Sequence, residues 1–97
     1  MVQAEPEARE LKLILAFQQE TWIQIYADDA LILDTIQFPN QVFQVTAKES
    51  LLLNVGNAGG FTFTINGQAG KPMGNPGAVL KNIRITQDNY TEFLQEQ

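Results

Sequence analysis

The sequence predicts an all-β fold, namely a seven-stranded antiparallel β-sandwich or a partly open barrel. From Leu11 onward the apolar residues recur with a period of two, which is the spacing of a half-buried strand. Turn-forming residues interrupt this pattern about every 8–12 residues. The chain has 97 residues, 44% of them hydrophobic, which suits one domain with one core. A parallel sheet would also need crossover helices, for which this length leaves no room.

The strands of the first half are defined by their alternation and bounded by turn residues. Asp28-Asp29 ends the second strand, because short acidic side chains bond their own backbone and tolerate the left-handed conformation. Pro39-Asn40 ends the third strand in the same manner. The four strands are predicted at residues 11–17, 22–27, 31–38 and 42–47.

The strands of the second half are predicted at residues 51–55, 61–65 and 79–86. The link Gly56–Gly60 contains three glycines, which we expect to occupy positive-φ positions. Phe61, Phe63 and Ile65 alternate with threonines and should point inward. A Gly/Pro-rich segment, residues 68–77, should cross to the last strand without secondary structure of its own.

The two ends of the chain differ from the strand region. Residues 1–10 are polar and contain Pro6, which predicts a flexible linker. Near the other end, Asp88 or Asn89 can cap a short helix in which Tyr90 begins an i, i+3, i+4 apolar pattern. The predicted organisation is therefore a linker at 1–10, a β-sandwich at 11–87, and a short helix or frayed tail at 88–97.

The residue inventory argues against an enzyme. The chain has no cysteine and no histidine, so it lacks the commonest metal ligands and the usual proton shuttle. Ser50 is its one serine and has no partner base in the sequence. Asp28, Asp29 and Asp34 are the candidate carboxylates, but the first two fall on a solvated hairpin tip. We therefore predict no catalytic residue, no metal site and no cofactor.

The charge distribution excludes two classes of partner. The formal net charge is −5, and the six basic residues are scattered along the sequence. A surface that follows a phosphate backbone needs clustered Lys and Arg, so nucleic-acid binding through this domain is not expected. The same argument speaks against docking of this domain on anionic lipid.

Two features indicate a binding surface. Trp22, Gln24 and Tyr26 alternate with Ile23 and Ile25, and therefore lie on the opposite face of the second strand. Two rings with a polar residue between them are typical of a surface for a peptide or a sugar, although both rings can also cover an edge of the core.

Leu52 is the second feature. It is out of phase with the apolar residues that flank it, so it faces solvent in a sheet that is buried on one side. It then marks either an interface or a strand that is buried on both sides.

Three runs of sequence, at residues 22–28, 51–59 and 61–67, resemble the C-terminal domain of the RodZ family. The most specific part is a strand, the link Gly56-Asn57-Ala58-Gly59, a second strand and the Asn66-Gly67 turn. The similarity in order and spacing extends over residues 11–86. RodZ-like proteins are bacterial, with a cytoplasmic helix-turn-helix domain, one transmembrane helix and a β-rich domain outside the cytoplasmic membrane.

The resemblance implies a function in cell shape. It implies a non-catalytic interaction domain that helps to link the MreB cytoskeleton to cell-wall elongation proteins on the outer side of the membrane. The membrane would then be reached through an anchor upstream of this sequence. A carbohydrate-binding module that holds peptidoglycan through Trp22 and Tyr26 is the alternative. The candidate partner surface comprises Trp22, Gln24, Tyr26, Leu52 and Asn57.

Overall fold

The computed structural model describes residues 10–95, which form two antiparallel four-stranded sheets followed by a 3-10 turn. The all-β prediction is confirmed, with eight strands rather than seven. The predicted linker lies outside the described residues, apart from Glu10. The strands are β1 Leu11–Phe17, β2 Thr21–Ala27, β3 Ala30–Gln37, β4 Val42–Ala47, β5 Ser50–Val55, β6 Phe61–Ile65, β7 Gln68–Ala69 and β8 Leu80–Thr86.

The chain passes repeatedly from one sheet to the other. Sheet A has the strand order β4-β1-β6-β7 and sheet B the order β3-β2-β5-β8. The β2–β3 and β6–β7 links stay within one sheet, whereas the other links between consecutive strands cross to the opposite sheet. The described strands thus form two separate sheets and not the single closed sheet of a barrel.

One core lies between the sheets and draws on both of them. Leu13 and Leu15 of β1 are fully buried, as are Ile23 and Ile25 of β2, and all four belong to one apolar cluster. Burying a side chain of this size contributes roughly 1.5–3 kcal/mol. The apolar residues that recur with a period of two in the sequence are therefore the inward-facing residues of each central strand.

Three phenylalanines fill one end of this core. The rings of Phe17 and Phe61 have centroids 5.7 Å apart, and those of Phe61 and Phe63 are 6.4 Å apart, both pairs being tilted. Gly70 passes directly over the Phe63 ring, and its N–H donates to the Phe63 carbonyl at 2.8 Å. A Cβ at Gly70 would lie 2.5 Å from Cδ2 of that ring and closer still to two other ring atoms. Only a glycine fits at this crossing.

The expectation of positive φ within Gly56–Gly60 is wrong. Among the described residues, the glycines with positive φ are Gly67 and Gly77. The loop glycines are needed instead for close approach. A Cβ at Gly59 would lie 2.7 Å from Pro76 Cα, and one at Gly60 would lie 2.8 Å from the Thr21 hydroxyl.

The two hairpin turns adopt the conformation that their residues indicate. Asp28 and Asp29 have φ values of 50° and 70°, and Asn66 and Gly67 have values of 53° and 81°. Two consecutive positive-φ residues match the twist of the flanking strands. Both turn predictions are confirmed.

The segment at 68–77 is more ordered than predicted, because it begins with the short strand β7. Two residues are too few for an alternating pattern, so the sequence gives no sign of this strand beyond the turn before it. The predicted helix is a single 3-10 turn, Tyr90–Phe93. Asn89 precedes this turn without capping it: its Oδ1 accepts the Thr86 N–H at 2.8 Å, and its Nδ2 donates to the Arg84 carbonyl at 3.0 Å.

Candidate functional site

The outer face of sheet B holds four of the five predicted surface residues. Trp22, Gln24 and Tyr26 lie on it because they alternate with the buried Ile23 and Ile25. Leu52 joins them from β5, where it is paired with Tyr26. All four side chains are half-buried, and none of them belongs to the core cluster or to the residues packed against it.

The strand register arranges this face in three rows across the sheet. The first row is apolar, with Trp22 paired to Ile36 on β3. On its other side the Gly56 N–H donates to the Trp22 carbonyl at 2.8 Å. A Cβ at Gly56 would lie 3.3 Å from the Trp22 Cβ, which is closer than an ordinary contact, so the glycine allows the two backbones to approach here.

The middle row is polar and crosses all four strands of sheet B. The Asn82 N–H donates to Asn54 Oδ1 at 2.7 Å, and Asn54 Nδ2 donates to Gln24 Oε1 at 2.9 Å. Gln24 Nε2 then donates to Asp34 Oδ2 at 3.2 Å. The register of β5 with β8 shifts beside Asn82, which has a φ of 61°, so this row also holds an irregularity in the ladder.

The third row combines an aromatic, aliphatic residues and a cation. Tyr26 is paired with Leu31 on one side and with Leu52 on the other, and Leu52 is paired in turn with Arg84. Directly opposed residues on one face have Cβ atoms about 5 Å apart, close enough for these side chains to interact. The outer face therefore presents two apolar rows with a hydrogen-bonded polar row between them.

Asn57 lies away from these rows, in the link between β5 and β6. Its Nδ2 donates to Gln19 Oε1 at 3.0 Å and to the Glu20 carbonyl at 3.4 Å. Its Oδ1 accepts the Gly77 N–H at 2.7 Å. The Asn57 side chain thus ties together the β1–β2, β5–β6 and β7–β8 links, and its contribution to a partner surface stays a prediction.

Two of the three candidate carboxylates, Asp28 and Asp34, have structural partners. Asp28 accepts the backbone N–H groups of Lys48 and Glu49, each at 2.7 Å, and that of Ser50 at 3.1 Å. The bonds from Lys48 and Glu49 hold the pKa of Asp28 below its usual value. A general acid in glycoside hydrolysis needs a raised pKa, so Asp28 is unsuited to that role. Asp34 belongs to the polar row described above.

No group of three or more acidic side chains within residues 10–95 is arranged to hold a metal ion. A cleft elsewhere on the domain is lined by Met73, Leu80, Ile83 and Phe93, with Lys71 and Glu92 beside them. These four apolar residues also pack against the core, so the cleft lies at the outer margin of the core.

Comparison with known protein families identifies the family of this chain. The family model described as the RodZ C-terminal domain matches residues 15–84, well over half of the sequence. The chain belongs to the RodZ C-terminal domain family. The resemblance seen in the sequence is thereby confirmed, and this RodZ domain comes from a family of structural and interaction domains of cell-shape proteins. No curated protein and no solved structure matches it.

The match includes every residue of the three rows on the outer face. It begins before Trp22, and Arg84 is its last residue. Sequence reasoning found Trp22, Gln24, Tyr26 and Leu52 but assigned neither Asp34 nor Asn54 to this surface. Both meet Gln24 only through the register of β3 and β5 with β2. Between residues 10 and 95, no helix has the length and apolar character needed to cross a bilayer.

Proposed function

We propose that this RodZ domain is a non-catalytic protein-interaction domain that contacts cell-wall elongation proteins outside the cytoplasmic membrane. Within the full RodZ-like protein it would form the far end of a link from the MreB cytoskeleton, with an anchor outside this sequence holding it at the membrane. The family match is the observation that carries this proposal. No cofactor and no nucleic acid take part in it.

The outer face of sheet B is the contact surface that we favour. It combines one indole, one phenol and aliphatic neighbours with a charged residue at its margin, Arg84. Tyr, Trp and Arg are the residue types that dominate protein–protein binding energy. The arrangement therefore suits a partner protein that covers both apolar rows at once.

Complementation of cell shape tests this assignment. Full-length protein carrying Tyr26→Ala or Leu52→Glu should fail to restore rod shape in cells that lack the native protein, and should no longer co-purify with extracytoplasmic elongation proteins. Val79→Glu is the matched control, because Val79 is exposed and lies outside the outer face. Circular dichroism of the isolated variants checks that they fold. Full rescue by a protein from which the domain has been deleted would refute the proposal.

Binding of peptidoglycan is the second candidate, and the two rings that flank an amide row favour it. Trp22 is the one tryptophan of the chain, so its fluorescence reports directly on this face. Titration with muropeptides should shift the emission, and Tyr26→Ala should weaken the apparent affinity. An unchanged spectrum at millimolar muropeptide would eliminate this candidate.

A further inference from the structure

The four strands that end the sheets differ in how their free edges are protected. The edge of β7 is covered by the C-terminal segment, since the Lys71 N–H donates to the Phe93 carbonyl at 2.9 Å and the Gln95 N–H donates to the Ala69 carbonyl at 3.0 Å. The 3-10 turn and the β7–β8 link approach β8 around the cleft described above. On the opposite side, β3 and β4 end their sheets without such a cover from the described residues.

Strand β3 is the longest of the eight described strands and the most apolar on its exposed side. Leu31, Ile32 and Ile36 are 52%, 48% and 44% exposed, and Phe38 directly after the strand is 51% exposed. Natural edge strands are usually protected by lysine, proline or a bulge. This strand contains neither lysine nor proline, and its irregularity, opposite Ile25 and Tyr26, leaves residues 33–37 in regular pairing.

The register shows which main-chain groups of β3 point away from the other described strands. The Trp22 carbonyl accepts a bond from the β5 side, so the groups of its neighbours Thr21 and Ile23 are directed toward β3. Their partners, Gln37 and Thr35, point back at β2. The N–H and C=O groups of Asp34 and Ile36 therefore point away from the sheet. An added strand pairs with such groups.

Charge decides what kind of strand fits this edge. Between residues 13 and 47 the sequence has no Lys or Arg but four acidic residues, Glu20, Asp28, Asp29 and Asp34. Asp34 lies on β3 itself. A second copy paired through the same edge would add a strand with the same negative charge. A segment with lysine or arginine would instead be attracted to it.

We propose that β3 accepts an extended segment of a partner protein, alternating apolar and basic residues, as a fifth strand of sheet B. The inference rests on the proposed interaction role and adds to it the chemistry of the partner and its mode of pairing. Main-chain bonds to Asp34 and Ile36 would supply the pairing, the exposed aliphatic residues the apolar contact, and Asp34 the charge.

A designed peptide provides the probe. The 97-residue chain is titrated against a fluorescent, end-capped octapeptide of alternating valine and lysine, and against the same peptide with glutamate in place of lysine. Fluorescence anisotropy should show saturable binding of the lysine peptide, at least tenfold tighter than that of the glutamate peptide and weakened by added salt. Amide hydrogen exchange of Asp34 and Ile36 should slow when the peptide is bound.

Substitutions locate the binding to the edge. Ile36→Pro removes a free N–H without removing a bond to β2, and should weaken binding at least tenfold. Asp34→Lys should weaken it several-fold and reduce its salt dependence, which keeps a test available if the proline variant does not fold. Val79→Lys adds the same charge away from the edge and should change the affinity by less than twofold.

Three results would overturn the inference. These are equal binding of the two peptides, binding unchanged by Ile36→Pro, and unaltered amide exchange at saturating peptide. A dimer in sedimentation, with Asp34 and Ile36 protected in the absence of peptide, would also overturn it by assigning the edge to a second copy. A failed peptide experiment leaves the cell-shape test of the outer face intact, so the two proposals fail separately.

Discussion

Replacement of Gly70 by alanine tests the packing at the end of the core. The new Cβ would lie 2.5 Å from Phe63 Cδ2 and closer still to two other ring atoms, whereas an ordinary contact is 3.4–4 Å, so the ring and the backbone must separate by roughly 1.5 Å or more. Both are held by their neighbours. Phe63 is 4% exposed and packs against Phe61, while Gly70 is held by its bond to the Phe63 carbonyl and by a bridge to Leu94. Overpacking of a dense core costs about 1–3 kcal/mol, and we expect the upper end of that range.

The measurement is urea unfolding followed by Trp22 fluorescence, with linear extrapolation of the free energy of unfolding. A loss of about 3 kcal/mol corresponds to a fall in melting temperature of roughly 10–25 °C for a domain of this size. Phe63→Leu removes the ring and should cost about 1–2 kcal/mol alone. In the double variant the clash is relieved, so its loss should be smaller than the sum of the single losses by about 1 kcal/mol or more.

Gly67→Ala is the matched control. Gly67 has a φ of 81° but nothing within 4 Å of its Cβ position. Alanine there should cost roughly 1–2 kcal/mol through backbone strain alone, and its effect should add to that of Phe63→Leu. Full additivity of Gly70→Ala with Phe63→Leu would show that contact with the ring does not determine the cost. A loss below about 0.5 kcal/mol for Gly70→Ala alone would refute the close approach itself.

Three further expectations follow from the hydrogen bonds and the burial. The folded state lowers the pKa of Asp28, so this group contributes stability above its unfolded pKa of about 3.9, and the contribution is lost as the pH falls through the lower folded pKa. Acid titrations of stability should therefore be shallower below pH 4 for Asp28→Asn than for the wild type, and parallel curves would contradict the assignment. Asn57→Ala removes the side-chain bonds that join three links and should cost about 1–3 kcal/mol in urea unfolding; a change within experimental error would mean that the links hold without it. Ile85→Ala should cost about 2–5 kcal/mol because Ile85 is fully buried, and Ile83→Ala clearly less because Ile83 is only partly buried; equal losses would contradict this packing.

The sequence is sufficient to predict most of the strands, because each depends on local alternation and on turn residues beside it. Asp28-Asp29 and Asn66-Gly67 are turns for reasons contained in those residues. The loop glycines are different. Gly59 and Gly60 are required by Pro76 and Thr21, which come from distant parts of the chain, and local conformational preference gave the wrong reason for them.

The candidate site could likewise be predicted only where local alternation along one strand determines it. The alternation along β2 predicts that Trp22 and Tyr26 share a face, and the phase of Leu52 predicts that it points outward. That Leu52 lies beside Tyr26, and that Asn54 meets Gln24, depends on the register between β2 and β5. Register across strands is set by the whole core, and no single segment contains it.

The polar row on sheet B has a consequence for the selectivity of any partner that covers it. Its hydrogen bonds all run in one direction, from the Asn82 N–H through Asn54 and Gln24 to the Asp34 carboxylate. Amides that already satisfy one another lose little when water is displaced from above them, since their main bonds survive the dehydration. They also have few strong donors or acceptors left for recognition. Discrimination between partners on this face should therefore come from the shape of the Trp22 and Tyr26 rows and from the charged residues at its two margins, Arg84 on β8 and Asp34 on β3, whereas the amides between them contribute little to it.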